Sequence, residues 1–226
     1  MKRGVDVSRV QGILTSRQWR ATGLDFAYIK CGNGNAPVDD HFVEQMTNAR
    51  TAGLAVGAYH VGFPLHPDPG HPGREPESQA REHFFLSGAL GQIPGTMPPV
   101  LDLEWPEPQD WAHWGIDAPF ILDWAKRYLE QMAALYQREP ILYVYPDYWR
   151  HVSKGQDVDG FARYGLWLAA YGVPHPPPMS PWPLPVLWQS GGGTGRLPNG
   201  EPVDEDVFLG SDAEWNRFLA LPDDFT

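Results

Sequence analysis

Val100-Leu101-Asp102-Leu103-Glu104-Trp105 sets two carboxylates two residues apart in an apolar run that directly follows Met97-Pro98-Pro99. Side chains of a β-strand alternate between faces, so Asp102 and Glu104 share one face and Leu101 and Leu103 the other. At ~3.3 Å of rise per residue their Cα atoms stand about 6.6 Å apart. Burying one acid in a strand is costly, and burying two side by side costs more. The pair therefore points to chemistry, with each carboxyl able to shift the other's pKa and both able to reach one bond. The competing reading is an edge strand with a solvated acidic face. Trp105-Pro106 immediately behind the pair, and acids ending other strand-like runs, count against it.

Outward from this segment, strand-like runs fall at residues 5–8, 26–31, 55–61, 141–145, 166–171, 185–189 and 203–208, with 100–104 among them. Helical patterns lie between them. Thr15 with Gln18 offers a capping box for a helix ending near Gly23, and Ser211 with Glu214 another before the last helix. Residues 40–52 stop at Gly53 and residues 77–90 at Gly91. Asp117 caps a long amphipathic helix to Gln137, with Ile121, Trp124, Tyr128, Met132 and Leu135 on one face. This alternation predicts a single-domain α/β fold with a parallel sheet, open or closed into a barrel. The long Pro- and Gly-rich loops, 63–76, 106–118, 172–183 and 190–202, each follow a strand. Helix-to-strand turns are mostly tight, 91–99 excepted. In α/β proteins the loops at the carboxyl ends of the strands build the active site.

The same parity adds further acids. Asp6 faces away from Val5 and Val7; Asp204 and Asp206 share a face of the run 203–208, and parity does not separate them. If the sheet closes, its first and last strands become neighbours. Asp6, Asp102, Glu104 and Asp204 then meet at one mouth.

Composition narrows the partners. The formal net charge is −11 and no cluster of Lys and Arg stands out, which argues against nucleic acid. Ten Trp and nine Tyr suit flat ligands with apolar faces, such as sugar rings. No apolar run is long enough to span a bilayer. Cys31 is the only cysteine, so no intramolecular disulfide forms, and it reads as a small buried residue. His60 reads as a buried, hydrogen-bonded histidine. His66, His71 and His113 match no metal-ligand spacing, and Gly191-Gly192-Gly193 lacks the lysine and helix of a phosphate cradle. No metal and no cofactor are expected. Met1-Lys2-Arg3 passes straight into the first strand, leaving no room for a signal peptide. The expectation is synthesis in the cytoplasm, with release by lysis or another non-classical route.

Gly4-Val5-Asp6-Val7-Ser8, Tyr28-Ile29-Lys30, Gly57-Ala58-Tyr59-His60 and Leu101-Asp102-Leu103-Glu104, in that order, resemble the glycoside hydrolase family 25 muramidases. Ile141-Leu142-Tyr143, Leu166-Trp167-Leu168-Ala169-Ala170-Tyr171, Trp188-Gln189 and Val203-Asp204 extend the resemblance over nearly the whole chain. The resemblance implies an irregular TIM-like β/α barrel that cleaves the β-1,4 bond between N-acetylmuramic acid and N-acetylglucosamine in peptidoglycan. It implies Glu104 as proton donor, with Asp102, Asp6 and Asp204 as the other active-site acids. Tyr59, Tyr143 and Tyr171 match family aromatics near the site. Trp105 and Gln189 are candidates for sugar contact, and Lys30 for pairing with an acid. Where family members carry an amide-like residue after the Val-Asp pair, this chain has Glu205-Asp206, which leaves Asp206 as a rival to the favoured Asp204. Asp102, expected to stay ionised, either attacks the sugar or holds the substrate's acetamido group as internal nucleophile; both routes retain configuration. A chitinase-like glycosidase and a non-catalytic glycan-binding barrel are the alternatives. The chitinase reading lacks the spaced aspartates it needs before the pair, and the binding module has no need of the acids. The active unit is expected to be a monomer.

Overall fold

Every strand-like run of the sequence becomes a strand in the computed structural model, which describes residues 1–36 and 39–221. The strands are β1 (Lys2–Val7), β2 (Phe26–Asn33), β3 (Ala55–Val61), β4 (Val100–Asp102), β5 (Ile141–Val144), β6 (Gly165–Ala169), β7 (Leu187–Arg196) and β8 (Pro202–Phe208). They close into one barrel in chain order. The helices are α1 (Ser16–Thr22), α2 (Phe42–Ala52), α3 (Pro76–Leu86), α4 (Trp111–Trp114), α5 (Ala118–Tyr136), α6 (Pro146–Ser153) and α7 (Asp212–Leu219).

The sheet is parallel from β1 through β7, but β8 runs antiparallel to both β7 and β1. The purely parallel sheet expected from the element order thus fails at its last strand. Residues 190–202, read as a loop, instead extend β7 to Arg196 and turn back through Leu197 and Gly200. A connection this short, with no helix in it, joins antiparallel strands only.

Caps form where the sequence places them. Thr15 and Gln18, and likewise Ser211 and Glu214, satisfy each other's backbone N–H groups, and Asp117 Oδ1 accepts from Phe120 N at 2.9 Å. α3 stops at Leu86 rather than at residue 90, because Gly88 and Ala89 take left-handed φ values of 60° and 55°. The sequence reading missed α4 and α6. α6 opens on Pro146 and buries Tyr148, Trp149 and Val152 in the core it shares with α5.

Both faces of the barrel wall are apolar, as expected for strands covered by helices. Outside, Val5, Val7, Ile29 and Val56 pack with Trp19 of α1 and Ala49 of α2, while Leu101, Leu142 and Leu166 pack with α5 and α6. Inside, Phe26, Tyr28, Val100, Ile141, Trp167, Leu187 and Phe208 form a separate core. The glycines of β1 and β3 make room for its rings, since a Cβ on Gly4 would lie 2.3 Å from Phe26 and one on Gly57 2.2 Å from Tyr28. Trp215 of α7 packs on Phe26 and Phe208 with ring centroids at 5.6 and 5.0 Å, closing the end where β2 begins. The opposite end holds the acids. No helix among the described residues is long and apolar enough to cross a membrane.

Candidate active site

Closure of the barrel decides which acids meet. Asp6, near the end of β1, pairs directly with Asp204 across the antiparallel seam with β8. Asp102 is the last residue of β4, in register with Val61 of β3 and Tyr143 of β5. β4 ends there, so Glu104 lies beyond the strand rather than within it. Leu103 N still donates to Tyr143 O at 3.0 Å and its side chain is fully buried. That bond carries the alternation one residue further and delivers Glu104 to the mouth.

Asp6, Asp102, Glu104 and Asp204 line one hollow of about 230 Å³ with Lys30, Tyr59, Tyr143, Tyr171 and Gln189. Trp167 and Val61 complete its wall. Tyr171 stands beyond the end of β6, half-exposed at the rim. Of the two aspartates that parity left together, Asp204 lines the hollow and accepts from Gly193 N at 2.5 Å. Asp206 sits deeper, 2% exposed, where Trp167 Nε1 donates to its Oδ1 at 3.0 Å. Trp105 is the one candidate absent from this lining. It packs on Phe63 and Trp114, at 4.6 and 5.5 Å between ring centroids, and borders a neighbouring apolar cavity.

Gln189 has a task besides the sugar contact its sequence position suggested. Its Oε1 accepts from Tyr143 OH at 2.9 Å and from Tyr171 OH at 2.5 Å, while its Nε2 donates to Asp6 Oδ2 at 2.6 Å. Both ends of the amide are held by the protein, so Gln189 fixes Asp6 and two tyrosines in one chain of hydrogen bonds.

Crowded acids in a dry mouth cannot all ionise. Burial, then the charge of Asp204, pushes Asp6 up to about 7, against the hydrogen bonds from Gln189 and Asp206. Burial also holds Glu104 above the usual carboxylate range; Lys30 opposes this, while Glu107 and Asp204 add to it. Asp102 is raised further, by burial and then by Glu104, with Lys30 again opposing. Its Oδ1 is buried without any hydrogen-bond partner. That oxygen is shut off from solvent, so substrate meets Asp102 only through the small exposed part of the residue that lines the hollow, where an N–H donated to the carboxyl would favour the carboxylate. In the free site, burial works against the ionised Asp102 that the sequence reading assumed, and Lys30 is the cation opposing it. The hollow therefore offers a carboxyl raised enough to carry a proton beside a second acid.

Two contributors escaped the sequence reading. Trp167 could have been found, because Leu166 and Leu168 on either side face outward and leave it pointing into the barrel. Glu107 accepts from Tyr145 OH at 2.7 Å and raises Glu104; its place in a Pro-rich loop gave no signal. His60 and Cys31 are buried, as read from the sequence, and neither lines the hollow.

Residues 5–192 match the sequence profile of the glycosyl hydrolases family 25. The chain belongs to that family. Lysozyme M1 of Streptomyces globisporus is 30% identical over 221 residues, covering 96% of this chain and 70% of that protein. The N,O-diacetylmuramidase of Chalaropsis sp is 27% identical, covering 87% of this chain and 93% of its own. In three dimensions this family 25 hydrolase is similar to the bacterial lysozyme of Streptomyces coelicolor, with a TM-score of 0.81 at 29% identity over 100% of this chain and 98% of the other. The similarity extends through β8 and α7, past the end of the profile match, so Asp204 lies within the shared fold.

Proposed function

We propose that this family 25 glycoside hydrolase is an N-acetylmuramidase, cutting the β-1,4 bond between N-acetylmuramic acid and N-acetylglucosamine in bacterial peptidoglycan. One observation carries the mechanism: Glu104, raised above the usual carboxylate range, shares a hollow with the carboxyl-bearing Asp102, two residues before it.

Glu104 enters protonated and gives its proton to the glycosidic oxygen as the bond breaks. Asp102 accepts the N–H of the substrate's 2-acetamido group, orienting the acetamido oxygen towards the anomeric carbon. This acceptor role favours the substrate-assisted route over direct attack by Asp102. Glu104, now a carboxylate, returns as base to activate water, and configuration is retained. Asp6, fixed by Gln189, and Asp204 supply negative charge against the developing oxocarbenium ion. Tyr59 and Tyr143 stay neutral because burial raises both well above their usual range. Its site of action is the cell wall, and the active unit is taken to be a monomer.

Clearance of purified cell-wall suspensions tests the reading. The wild-type chain should lower the turbidity. Glu104→Gln should lose about 10²- to 10⁴-fold in rate, the scale of a missing general acid, while its circular dichroism and thermal unfolding match wild type. Normal turnover in that variant would remove Glu104 from the role.

A further inference from the structure

Asp206 is a second carboxyl beneath the working acids, and nothing in the mechanism above uses it. It is 2% exposed, with Oδ1 bonded to Trp167 Nε1 at 3.0 Å and Oδ2 buried without a donor. The Asp6 carboxyl stands within hydrogen-bond reach of it, across the seam of β1 and β8. The titratable groups acting on it are Asp6 and Asp204, and Tyr28 faces it from β2. Burial keeps Tyr28 neutral. Two carboxylates at this distance in a dry interior repel, whereas a carboxyl and a carboxylate share a short, strong hydrogen bond.

We propose that Asp206 is a positioning residue that keeps its proton as Asp6 ionises and donates its carboxyl O–H to the Asp6 carboxylate. Asp6 then accepts two fixed donors, Asp206 from below and Gln189 Nε2 from β7 at 2.6 Å. The proton sits on Asp206 because that carboxyl is the deeper of the two and is raised further from its usual range. In this way Asp6 keeps one negative charge and one orientation beside the sugar, and no second charge is buried under it. Asp206 itself never touches substrate. The inference deepens the muramidase reading and rests on it for its kinetic consequence only; the position of the proton can be read without turnover.

Asp206→Asn keeps the shape, the acceptor for Trp167 and an N–H donor for Asp6, but has no acid proton. Asp206→Ala removes the donor. Infrared difference spectra at pH 7, wild type minus Asp206→Asn, should show a protonated-carboxyl band assigned to Asp206. On cell walls, Asp206→Ala should lose about tenfold or more in kcat, the scale of a lost hydrogen bond to a charged group, with KM little changed. Asp206→Asn should restore most of that loss. Absence of the band, full activity in Asp206→Ala, or a folded Asp206→Asn as impaired as the alanine variant would overturn the proposal. If the alanine variant does not fold, the band and the turnover of Asp206→Asn decide alone. Inactive wild-type protein with the band present would count against the muramidase reading and leave the placement of the proton standing.

Discussion

Asp6 binds its proton more tightly in the folded barrel than in the unfolded chain, because burial and Asp204 lift it from 3.8 to about 7. A carboxyl raised in this way favours the fold most below its unfolded pKa, and the advantage fades as pH rises through the folded value. For Asp6 the window runs from 3.8 to about 7. Urea unfolding at a series of pH values should show this group contributing a fall in stability across the window, and Asp6→Asn should flatten that part of the curve. An unchanged slope in the variant would mean that Asp6 is already ionised well below neutrality. Single residues were the most legible level of the site, since alternation along a strand marks which acids share a face. It says nothing of depth along the barrel axis. For that reason Asp204 and Asp206 are not separable before the seam register is known, and the hold of Gln189 on Asp6 and two tyrosines is invisible in the sequence.

Between elements, one buried hydroxyl joins a strand to two helices. Tyr128 of α5 bonds His60 Nδ1 of β3 at 3.0 Å and His83 Nδ1 of α3 at 3.3 Å, and the two imidazoles stack at 5.4 Å. Desolvation pushes His60 down to about 3 and His83 well below its usual value, so both rings are buried neutral. Tyr128→Phe leaves ring nitrogens unsatisfied in a dry interface. It should cost about 1–3 kcal/mol, read from the urea midpoint with an unchanged m-value. Stability drawn from these histidines is present above the unfolded value of 6.5 and lost on acidification, opposite in sign to that of Asp6. The elements themselves were largely legible. Wall strands apolar on both faces stand out as short runs between turn residues, and three of the five expected helices carried an N-terminal cap signal that the structure contains. α6 was hidden because its buried contacts span too few residues to set up a period. β4 was read two residues too long because Leu103 and Glu104 continue the alternation after the ladder to β3 has ended. The reversal of β8 was concealed by glycines, whose run looked like a loop until both edges of the barrel had to be joined.

At the scale of the molecule, the chemistry is gathered at one end of a barrel whose other end is closed by Trp215. The formal net charge of −11 means that the molecule as a whole approaches a polyanionic wall under repulsion. Several cations are already engaged: Arg127 pairs with Glu75, Glu77 and Asp123, Arg163 with Glu139, and Arg74 with Asp68. Lys30 is the one cation in the hollow, and it lies among four acids. Long-range repulsion of this kind acts over about 10 Å at 0.1 M salt and about three times further at 0.01 M. Lysis of intact walls should therefore speed up as salt is added from ~0.01 M to ~0.1 M, through faster productive encounter rather than faster bond cleavage. A short soluble glycan fragment with few charges has little repulsion to escape, so its kcat/KM should stay nearly flat over the same range. Initial rates on both substrates across a salt series separate the two effects. Fastest wall lysis at the lowest salt would reverse the inference and require a basic face that draws the barrel onto the polymer.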